Sequence, residues 1–189
     1  MILPQTVLAA QGELDELEQS AAEADWGLCR DYAPKRRREF LSWRRVVRHV
    51  LGADVEIAYD EVGAPYLRND PHIKIGVSHA QGRVAVVFSE RRCAVDIEQL
   101  DRDFGRVASH YTSEAERRLS ADPRWLAVVW SAKETLYKFS GRTGLDLIHD
   151  LRIEGEDLAH GRIFGRIEQG ELLMIEVAFH EDLVLTSLL

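Results

Sequence analysis

The sequence predicts an α+β fold in which two similar halves each combine a long helix with an antiparallel sheet. Two long helical patterns occur along the chain, and each is followed by short runs with strand-like alternation. The connections between these runs are only a few residues long, which is typical of antiparallel neighbours. The order of helix then strands, twice over, therefore predicts a pseudodimer within one chain.

The composition is that of a folded globular protein. Of its 189 residues, 46% are hydrophobic and 30% are charged. No apolar run reaches the length of a membrane span and the N-terminus lacks a basic n-region, so we expect a cytoplasmic protein without membrane contact. The net charge of −8 argues against nucleic-acid binding. Cys29 and Cys93 form no C-x-x-C pair, which excludes a disulfide framework or a zinc site.

The first long helical pattern covers residues 34–51, where the apolar residues fall on one broad stripe. It contains seven Lys and Arg residues against one acid. Arg37, Arg44 and Arg48 fall together on one flank of the stripe. Two interpretations stay open: these are solvated helix residues that balance the acidic stretch 13–25, or they hold an anion.

Strand patterns follow this helix. Ile73, Ile75 and Val77 alternate with polar or small residues, as in a half-buried strand. Turn residues at 60–65 and at 81–82 separate the runs. We predict strands at residues 55–59, 73–77, 84–88 and 93–98, of which the last three form an antiparallel meander.

The second helical region begins with two start signals. Ser113 and Glu116 have the spacing of a capping box. Asp122 is a candidate N-cap with Pro123 at the first helical position of a long helix, which Gly141 ends. We also predict a short helix at residues 103–110, and strands at residues 151–154, 162–167, 172–179 and 183–188.

The long helix ending at Gly141 contains the stretch WSAKETLYK. Lys133 falls in the middle of its apolar stripe and therefore needs an anionic partner. Glu134 and Lys138 lie beside each other on the flank. Taken alone, they form either a routine i, i+4 ion pair worth about 0.2–0.5 kcal/mol or part of a half-buried cleft.

Three polar motifs lie on or next to predicted strands. Asp96 and Glu98, in CAVDIE, point to the same face of their strand. They either face solvent or bind a hard cation such as Mg²⁺, with Glu134 as a third carboxylate from elsewhere in the fold. Ser78 and His79 end the strand 73–77, where a histidine is either structural or donates hydrogen bonds to an oxyanion.

Taken together, these segments resemble the 4′-phosphopantetheinyl transferase superfamily of the Sfp type. The matching segments, in order, are KRRREFLSWRR, GAPYL, IGVSHA, AVDIE, YTSEAE and WSAKETLYKFSGRTGLDL, within residues 35–146. Proteins of this family transfer 4′-phosphopantetheine from coenzyme A to a serine of an acyl or peptidyl carrier protein, with magnesium, and release adenosine 3′,5′-bisphosphate. The resemblance implies the pseudodimer fold of that family, with halves 1–92 and 93–189, and we expect a monomer.

The resemblance also implies roles for single residues. Asp96, Glu98 and Glu134 would bind magnesium. Glu134 would activate the attacking serine, while Lys138 would neutralise the transferring phosphate or protonate the leaving group.

Other matching residues would bind coenzyme A. Ser78 and His79 would contact its phosphates, Lys133 would contact its diphosphate, and Gly63 and Pro65 would lie along the adenine. The residues expected to face the 3′-phosphate belong to the basic helix: Lys35, Arg37, Arg38 and Arg44.

Two positions depart from the family motifs. Ala94 replaces a glycine in the aspartate motif, and Ala64 replaces a lysine between Gly63 and Pro65. These departures keep a coenzyme A or carrier-binding pseudoenzyme open as an alternative. A magnesium-dependent phosphohydrolase would use the same carboxylates, but it leaves the GAPYL and VSH motifs unexplained.

Overall fold

The computed structural model describes residues 4–189, so the first three residues of the predicted first half lie outside the described residues. Two 3₁₀ helices, Gly105–His110 and Leu158–His160, accompany the regular elements. The described helices and strands, in chain order, are β1 (Gln5–Ala10), α1 (Leu14–Ser20), α2 (Glu23–Cys29), α3 (Pro34–Leu51), β2 (Ile57–Tyr59), β3 (Pro65–Leu67), β4 (Lys74–Ala80), β5 (Arg83–Ser89), β6 (Ala94–Gln99), α4 (Glu114–Arg117), α5 (Trp125–Ser140), β7 (Leu151–Asp157), β8 (Arg162–Ile167), β9 (Leu173–His180) and β10 (Leu183–Leu188).

The first sheet is antiparallel, with strand order β1–β5–β4. Helix α3 packs on one of its faces, where Trp43 and Val47 share a core with Val84, Val86 and Phe88 of β5. The predicted helix 34–51 is confirmed. A small hairpin of β2 and β3 lies beside this sheet and includes the GAPYL segment.

The second sheet is also antiparallel, with strand order β6–β10–β9–β8–β7. Helix α5 packs on one face of this sheet and forms a hydrophobic core with it. The fully buried apolar residues of α5 in this core are Val128, Val129, Ala132 and Leu136. The chain thus has the predicted mixed α+β architecture, in which helices cover antiparallel sheets.

The two sheets pack against each other through the face of β5 that is remote from α3. The buried residues of this contact are Ala85, Val87, Cys93, Val95, Ile97 and Leu185. A glycine allows β4 to approach β6 closely, since a methyl group at Gly76 would lie 2.9 Å from Val87 Cγ1 and 3.2 Å from Ala94 Cα. The lack of a side chain at Gly76 therefore permits the close approach of β4 to the start of β6.

The prediction that residues 73–98 form one antiparallel meander is wrong for the last strand. Strand β6 does not pair with β5 but crosses to the second sheet and pairs with β10, where Asp96 lies opposite Thr186. Strand periodicity describes which residues share a face, and it does not identify a partner that is distant in sequence. The short connection between β5 and β6 therefore joins two sheets rather than two strands of one.

The start of α5 also differs from the prediction. Its N-cap is Arg124 rather than Asp122, and the helix begins at Trp125. Asp122 accepts a hydrogen bond from the Arg124 backbone N–H at 2.8 Å and forms a turn before the helix. The predicted end is confirmed, because Gly141 takes a left-handed conformation with φ of 63°. The short helix predicted at residues 103–110 is a 3₁₀ helix that begins at Gly105 and ends at His110.

Helices α1 and α2, which the sequence patterns did not predict, carry the acidic partners of α3. Arg44 Nη1 lies 2.7 Å from Asp25 Oδ1, and Arg48 Nε lies 2.7 Å from Asp25 Oδ2. Arg37 Nη1 lies 2.6 Å from Glu18 Oε1. For these three arginines the predicted pairing with the acidic stretch is therefore confirmed. The expectation that they are solvated is wrong, because Arg44 is buried and the other two are largely covered.

Two compositional expectations can be compared with the structure. None of the helices within residues 4–189 combines the length and apolarity needed to cross a membrane. Cys29 and Cys93 are free thiols and do not form a disulfide with each other, and both are buried. Burial raises the pKa of Cys93 to about 11, so this thiol stays protonated.

The buried pair of Asp25 and Arg44 yields a stability prediction. Asp25→Asn leaves the Arg44 guanidinium, which is 1% exposed, without its anionic partner. We expect the free energy of unfolding, measured by urea denaturation, to fall by about 3–5 kcal/mol. The matched control is Asp31→Asn, since the pair of Asp31 with Arg30 is mostly exposed and should contribute nothing measurable. Equal stability of the two variants would contradict the anchoring role of Asp25.

Candidate active site

Strand β6 and helix α5 bring predicted site residues together at Asp96. The side chain of Asp96 is buried between the sheets and the helix. Its Oδ1 accepts hydrogen bonds from Lys138 Nζ at 2.7 Å and from Ser78 Oγ at 2.9 Å. Ser78 Oγ in turn accepts the backbone N–H of Ile97 at 3.2 Å. Ser78 therefore links β4 to β6 and orients the Asp96 carboxylate.

Lys138 bonds to Asp96 rather than to Glu134. Besides Asp96, its ammonium donates to Ser78 Oγ and to the Val95 carbonyl, both at 3.2 Å. No ion pair joins Lys138 to Glu134 within the described chain, so the i, i+4 pair that the sequence allowed is not formed. The lysine instead ties the C-terminal end of α5 to β6.

Two side chains that the sequence analysis did not single out hold Glu98. Trp130 Nε1 donates to Glu98 Oε1 at 2.7 Å, and the Arg102 guanidinium pairs with Oε2. The Trp130 indole is fixed by an edge contact with Tyr111, with ring centroids 5.0 Å apart. The carboxylate of Glu98 is therefore restrained from two sides.

Glu134 is half-buried on the same side of α5, near the carboxylates of β6. Burial raises the pKa of Glu134, and the neighbouring charge of Asp96 raises it further. The Lys138 ammonium opposes this rise, while Glu98 adds to it. A carboxylate with a raised pKa is better suited to accept a proton near neutral pH than an ordinary surface glutamate.

A buried hydroxyl cluster fixes how α5 lies on the sheet. Thr186 Oγ1 lies 2.9 Å from Ser131 Oγ and 2.7 Å from Thr135 Oγ1. Thr186 is also the β10 residue that pairs with Asp96 in the sheet. These contacts fix the position of α5 along β10, and therefore the positions of Glu134 and Lys138 relative to Asp96.

A cleft of about 300 Å³ opens beside Lys138. The predicted adenine contacts Gly63 and Pro65 line it, and their turn is shaped by Asp60, whose Oδ1 accepts the backbone N–H groups of Val62 and Ala64. Val62 and Ala64 of the same turn also line the cleft. The other lining residues come from β4, from the start of β6 and the residue before it, and from the end of α5 and the residues after it: Ile75, Gly76, Val77, Cys93, Ala94, Val95, Tyr137, Gly141, Arg142 and Thr143.

His79 lies outside that cleft, on a second pocket of about 320 Å³. Its imidazole is about half exposed, and Nδ1 lies 3.8 Å from Glu39 Oε1. Arg36, which was not a predicted site residue, also lines this pocket. The other lining residues are Tyr32, Phe40, Trp43 and Tyr59. Tyr59 pairs with Pro65 in the β2–β3 hairpin, so this hairpin contributes to both concavities.

The structure separates the four predicted 3′-phosphate contacts of α3 into two groups. Arg37 and Arg44 point inward to acids of α1 and α2, and Arg44 is almost completely buried. The prediction that these two bind coenzyme A is therefore not supported, because their charges already have partners. Lys35 is exposed and Arg38 is 44% exposed, with a Glu13 oxygen 3.9 Å away. These two side chains remain accessible.

The prediction for Lys133 is corrected by the structure. Its side chain is fully buried, and Nζ lies 2.7 Å from Glu116 Oε1 and 2.7 Å from the Leu147 carbonyl. The required anion is thus Glu116, not the diphosphate of a ligand. Desolvation lowers the pKa of Lys133, while the contact with Glu116 raises it.

Glu116 is the predicted capping-box residue of α4, and the box is confirmed. Its Oε2 accepts from the Ser113 backbone N–H at 2.7 Å and from the Ser113 hydroxyl at 3.0 Å. Its Oε1 accepts from the Ile153 backbone N–H at 2.8 Å as well as from Lys133. One carboxylate therefore connects α4, α5 and β7 behind the site.

The donor atoms around Asp96 are of the type that Mg²⁺ prefers. Asp96 Oδ2 is buried and has no hydrogen-bond partner among residues 4–189. Asp96 and Glu98 are both close enough to Glu134 for their charges to raise its pKa. Mg²⁺ needs only one or two protein carboxylates when waters and substrate phosphates complete its shell. No three His, Cys, Asp or Glu side chains in the described range form a ready metal cluster. The residues fit such an ion in donor type, although Lys138 and Arg102 occupy some of their oxygens.

The family comparison covers the part of the chain that contains these four residues. A protein-family model described as 4′-phosphopantetheinyl transferase superfamily matches residues 92–186, just over half of the chain. The matched range contains Asp96, Glu98, Glu134 and Lys138. No curated protein sequence matches the chain significantly.

The buried pair of Lys133 and Glu116 yields a double-mutant prediction. Lys133→Met or Glu116→Gln alone should lower the free energy of unfolding by about 3–5 kcal/mol, because each leaves the other charge buried without its partner. The double variant should lose less than the sum of the two single losses, which chemical denaturation of all four proteins measures. Strictly additive losses would contradict the pairing. Arg142→Met is a matched surface control, since its ion pair with Glu168 is about half exposed.

Proposed function

Because the chain belongs to the 4′-phosphopantetheinyl transferase superfamily, we propose that it transfers 4′-phosphopantetheine from coenzyme A to a serine hydroxyl of an acyl or peptidyl carrier protein. The product besides the holo carrier is adenosine 3′,5′-bisphosphate. The observation that carries the proposal is the group of Asp96, Ser78 and Lys138 at the edge of a cleft, with Glu134 and Glu98 beside it. Such a site combines carboxylates for a cation with an ammonium for a phosphate.

We propose further that the chain is of the Sfp type and is a pseudodimer with halves 1–92 and 93–189. The motifs GAPYL and IGVSHA, which precede the matched range, support the Sfp type. The strands of the three-stranded sheet all precede residue 93, and those of the five-stranded sheet all follow it, which supports this division. A monomeric state and residence in the cytoplasm stay predictions.

Magnesium is the metal that members of this family typically require. Asp96, Glu98 and Glu134 would hold it. Asp96 Oδ2 is the oxygen most available to bind the ion, because it is buried without a hydrogen-bond partner among the described residues. The bound ion would supply charge neutralisation for the diphosphate of coenzyme A.

The remaining chemistry belongs to the protein's own groups. Glu134 accepts the proton of the attacking serine hydroxyl, a role supported by its half-buried position and raised pKa. Lys138 lies at the cleft and neutralises charge on the transferring phosphate or protonates the leaving group. Ser78 orients Asp96 by donating a hydrogen bond from its hydroxyl. Because Ser78 is only 6% exposed, this role fits it better than the predicted direct contact with a coenzyme A phosphate.

Coenzyme A would extend from the cleft toward the second pocket. Gly63 and Pro65 would contact the adenine through the backbone of their turn, since both line the cleft. His79, Lys35 and Arg38 would face the phosphates outside it, where all three side chains are accessible. Electrostatic attraction of the acidic substrate would then depend on few exposed cations.

The transfer reaction itself provides the main test. Purified protein with coenzyme A, Mg²⁺ and a panel of apo carrier proteins should release adenosine 3′,5′-bisphosphate and add the mass of phosphopantetheine to a carrier. Glu134→Ala should lower the rate by about 10²–10⁴-fold, the usual contribution of a general base. Asp96→Ala should abolish transfer, whereas Glu171→Ala, an exposed glutamate elsewhere, should leave it unchanged.

Other outcomes of this assay separate the alternatives. Binding of coenzyme A without transfer to any carrier would favour a pseudoenzyme. Phosphate release from nucleotides without a carrier would favour a phosphohydrolase. Full activity of both site variants would exclude the proposed mechanism.

The departure at Ala64 yields a second prediction. This exposed residue lines the cleft between two predicted adenine contacts, so Ala64→Lys would add a cation next to the bound nucleotide. We expect the KM for coenzyme A to fall about two- to fivefold at unchanged kcat, as an exposed ion pair allows. Ala121→Lys adds the same charge at an exposed position elsewhere and should not change KM. Initial-rate kinetics of both variants check this, and an equal effect would show a non-specific charge contribution.

A further inference from the structure

The ammonium of Lys138 is bound by oxygens of the kind that bind a hard cation. Its three contacts are the Asp96 carboxylate at 2.7 Å and the Ser78 hydroxyl and Val95 carbonyl at 3.2 Å. Carboxylate, hydroxyl and carbonyl oxygens are also typical ligands of divalent cations such as Mg²⁺. Lys138 therefore holds part of the oxygen set that a metal at Asp96 would use.

The same carboxylate offers one further oxygen that Lys138 does not use. Asp96 is 4% exposed, and its Oδ2 has no hydrogen-bond partner among residues 4–189. A buried carboxylate oxygen without a partner is costly, so Asp96 gains from any additional cation that reaches it. The second carboxylate oxygen is thus the atom at which a further cation would first contact Asp96.

Lys138 has room to move away from Asp96. Its side chain is 33% exposed and lines the cleft in which the substrate is proposed to bind. A lysine stem has rotatable bonds throughout, so the ammonium can reach the cleft without a change in helix α5. Lys133, five residues earlier on the same helix, is fully buried between Glu116 and Leu147 and lacks this freedom.

We propose that Lys138 and a divalent cation compete for the Asp96 carboxylate, so that metal binding releases the Lys138 ammonium into the cleft. The inference rests on the proposed function for the identity of the metal and for the phosphate that then receives the ammonium. It adds an order of events: the metal binds, Lys138 leaves Asp96, and the positive charge needed at the transferring phosphate becomes available. Repulsion between the two cations favours this exchange.

Manganese binding to the isolated protein tests the competition directly. Mn²⁺ serves as the probe, and the electron paramagnetic resonance signal of the free ion reports binding without coenzyme A or a carrier. Lys138→Met should bind Mn²⁺ about tenfold more tightly than the unaltered chain, because the competing charge is gone. Lys138→Arg retains the charge and should bind like the unaltered chain. Lys74→Met, at an exposed lysine, is the matched control and should have no effect.

The double variant Asp96→Asn, Lys138→Met locates the effect. If Asp96 is the contested ligand, the tighter Mn²⁺ binding of Lys138→Met should disappear in this protein. The proposal would be overturned if Lys138→Met binds Mn²⁺ no more tightly than the unaltered chain, or if the double variant retains the tighter binding. It would also be overturned if none of these proteins binds Mn²⁺. Thermal denaturation of each variant checks that it is folded.

Nuclear magnetic resonance of the unaltered chain gives a test that needs no variant protein to fold. The chain has only four lysines, Lys35, Lys74, Lys133 and Lys138, so selective ¹⁵N labelling gives a sparse ammonium spectrum. Addition of Mg²⁺ should shift the Lys138 signal and leave the Lys133 signal in place. An unchanged Lys138 signal at Mg²⁺ saturation would refute the exchange.

These measurements are independent of turnover. Transfer activity without any Mn²⁺ gain in Lys138→Met would refute the exchange and leave the proposed function standing. The gain without transfer to any carrier would retain the competition and refute the transferase assignment.

Discussion

The structure depends on the two different faces that β6 presents. Val95 and Ile97 are buried against the first sheet, while Asp96 and Glu98 point toward α5. A buried carboxylate is stable only with partners, and Ser78 from β4 and Lys138 from α5 provide them. Satisfying Asp96 therefore fixes β4 and α5 on either side of the same strand. The cleft beside Lys138 is a consequence of this arrangement.

Behind the site, Glu116 performs a similar task, and its charged partner Lys133 is fully buried. It caps α4, accepts the Ile153 N–H of β7 and pairs with Lys133 of α5. Lys133 and Glu134 are adjacent in sequence, so the restraint on Lys133 limits rotation of the helix that presents Glu134. The helix is thus held at one face by Glu116 and at another by Thr186. Such double restraint is what a site needs when its reacting groups must keep their geometry.

Much of this arrangement could be predicted from local patterns, and the reasons are physical. Strand alternation correctly separated Val95 and Ile97 from Asp96 and Glu98, because side chains alternate along any strand. The helical stripe correctly placed Lys133 in the core, and burial then required an anion. The capping box at Ser113 was visible because it depends on residues three apart.

What could not be predicted were the partners, because they are chosen by contacts between distant segments. Nothing local shows that β6 pairs with β10, that Lys133 meets Glu116, or that Lys138 prefers Asp96 to Glu134. The hydrogen bond from Trp130 to Glu98 was missed for the same reason, since an apolar helix position gives no sign of its indole donor. The family resemblance implied roles for single residues, but it did not show that Lys133 points into the core instead of contacting a ligand.

Helix α3 uses three of its basic side chains for internal ion pairs. Arg44 and Arg48 both pair with Asp25 of α2, and Arg37 pairs with Glu18 of α1. These ion pairs hold α1 and α2 against α3. Their guanidinium groups add little to the potential outside, because each is paired at short range with a carboxylate. In a chain of net charge −8, an anionic substrate must then be attracted by the few accessible cations that remain near the site. This makes the position of each such cation important, and it gives a physical reason for the proposed release of Lys138 from Asp96.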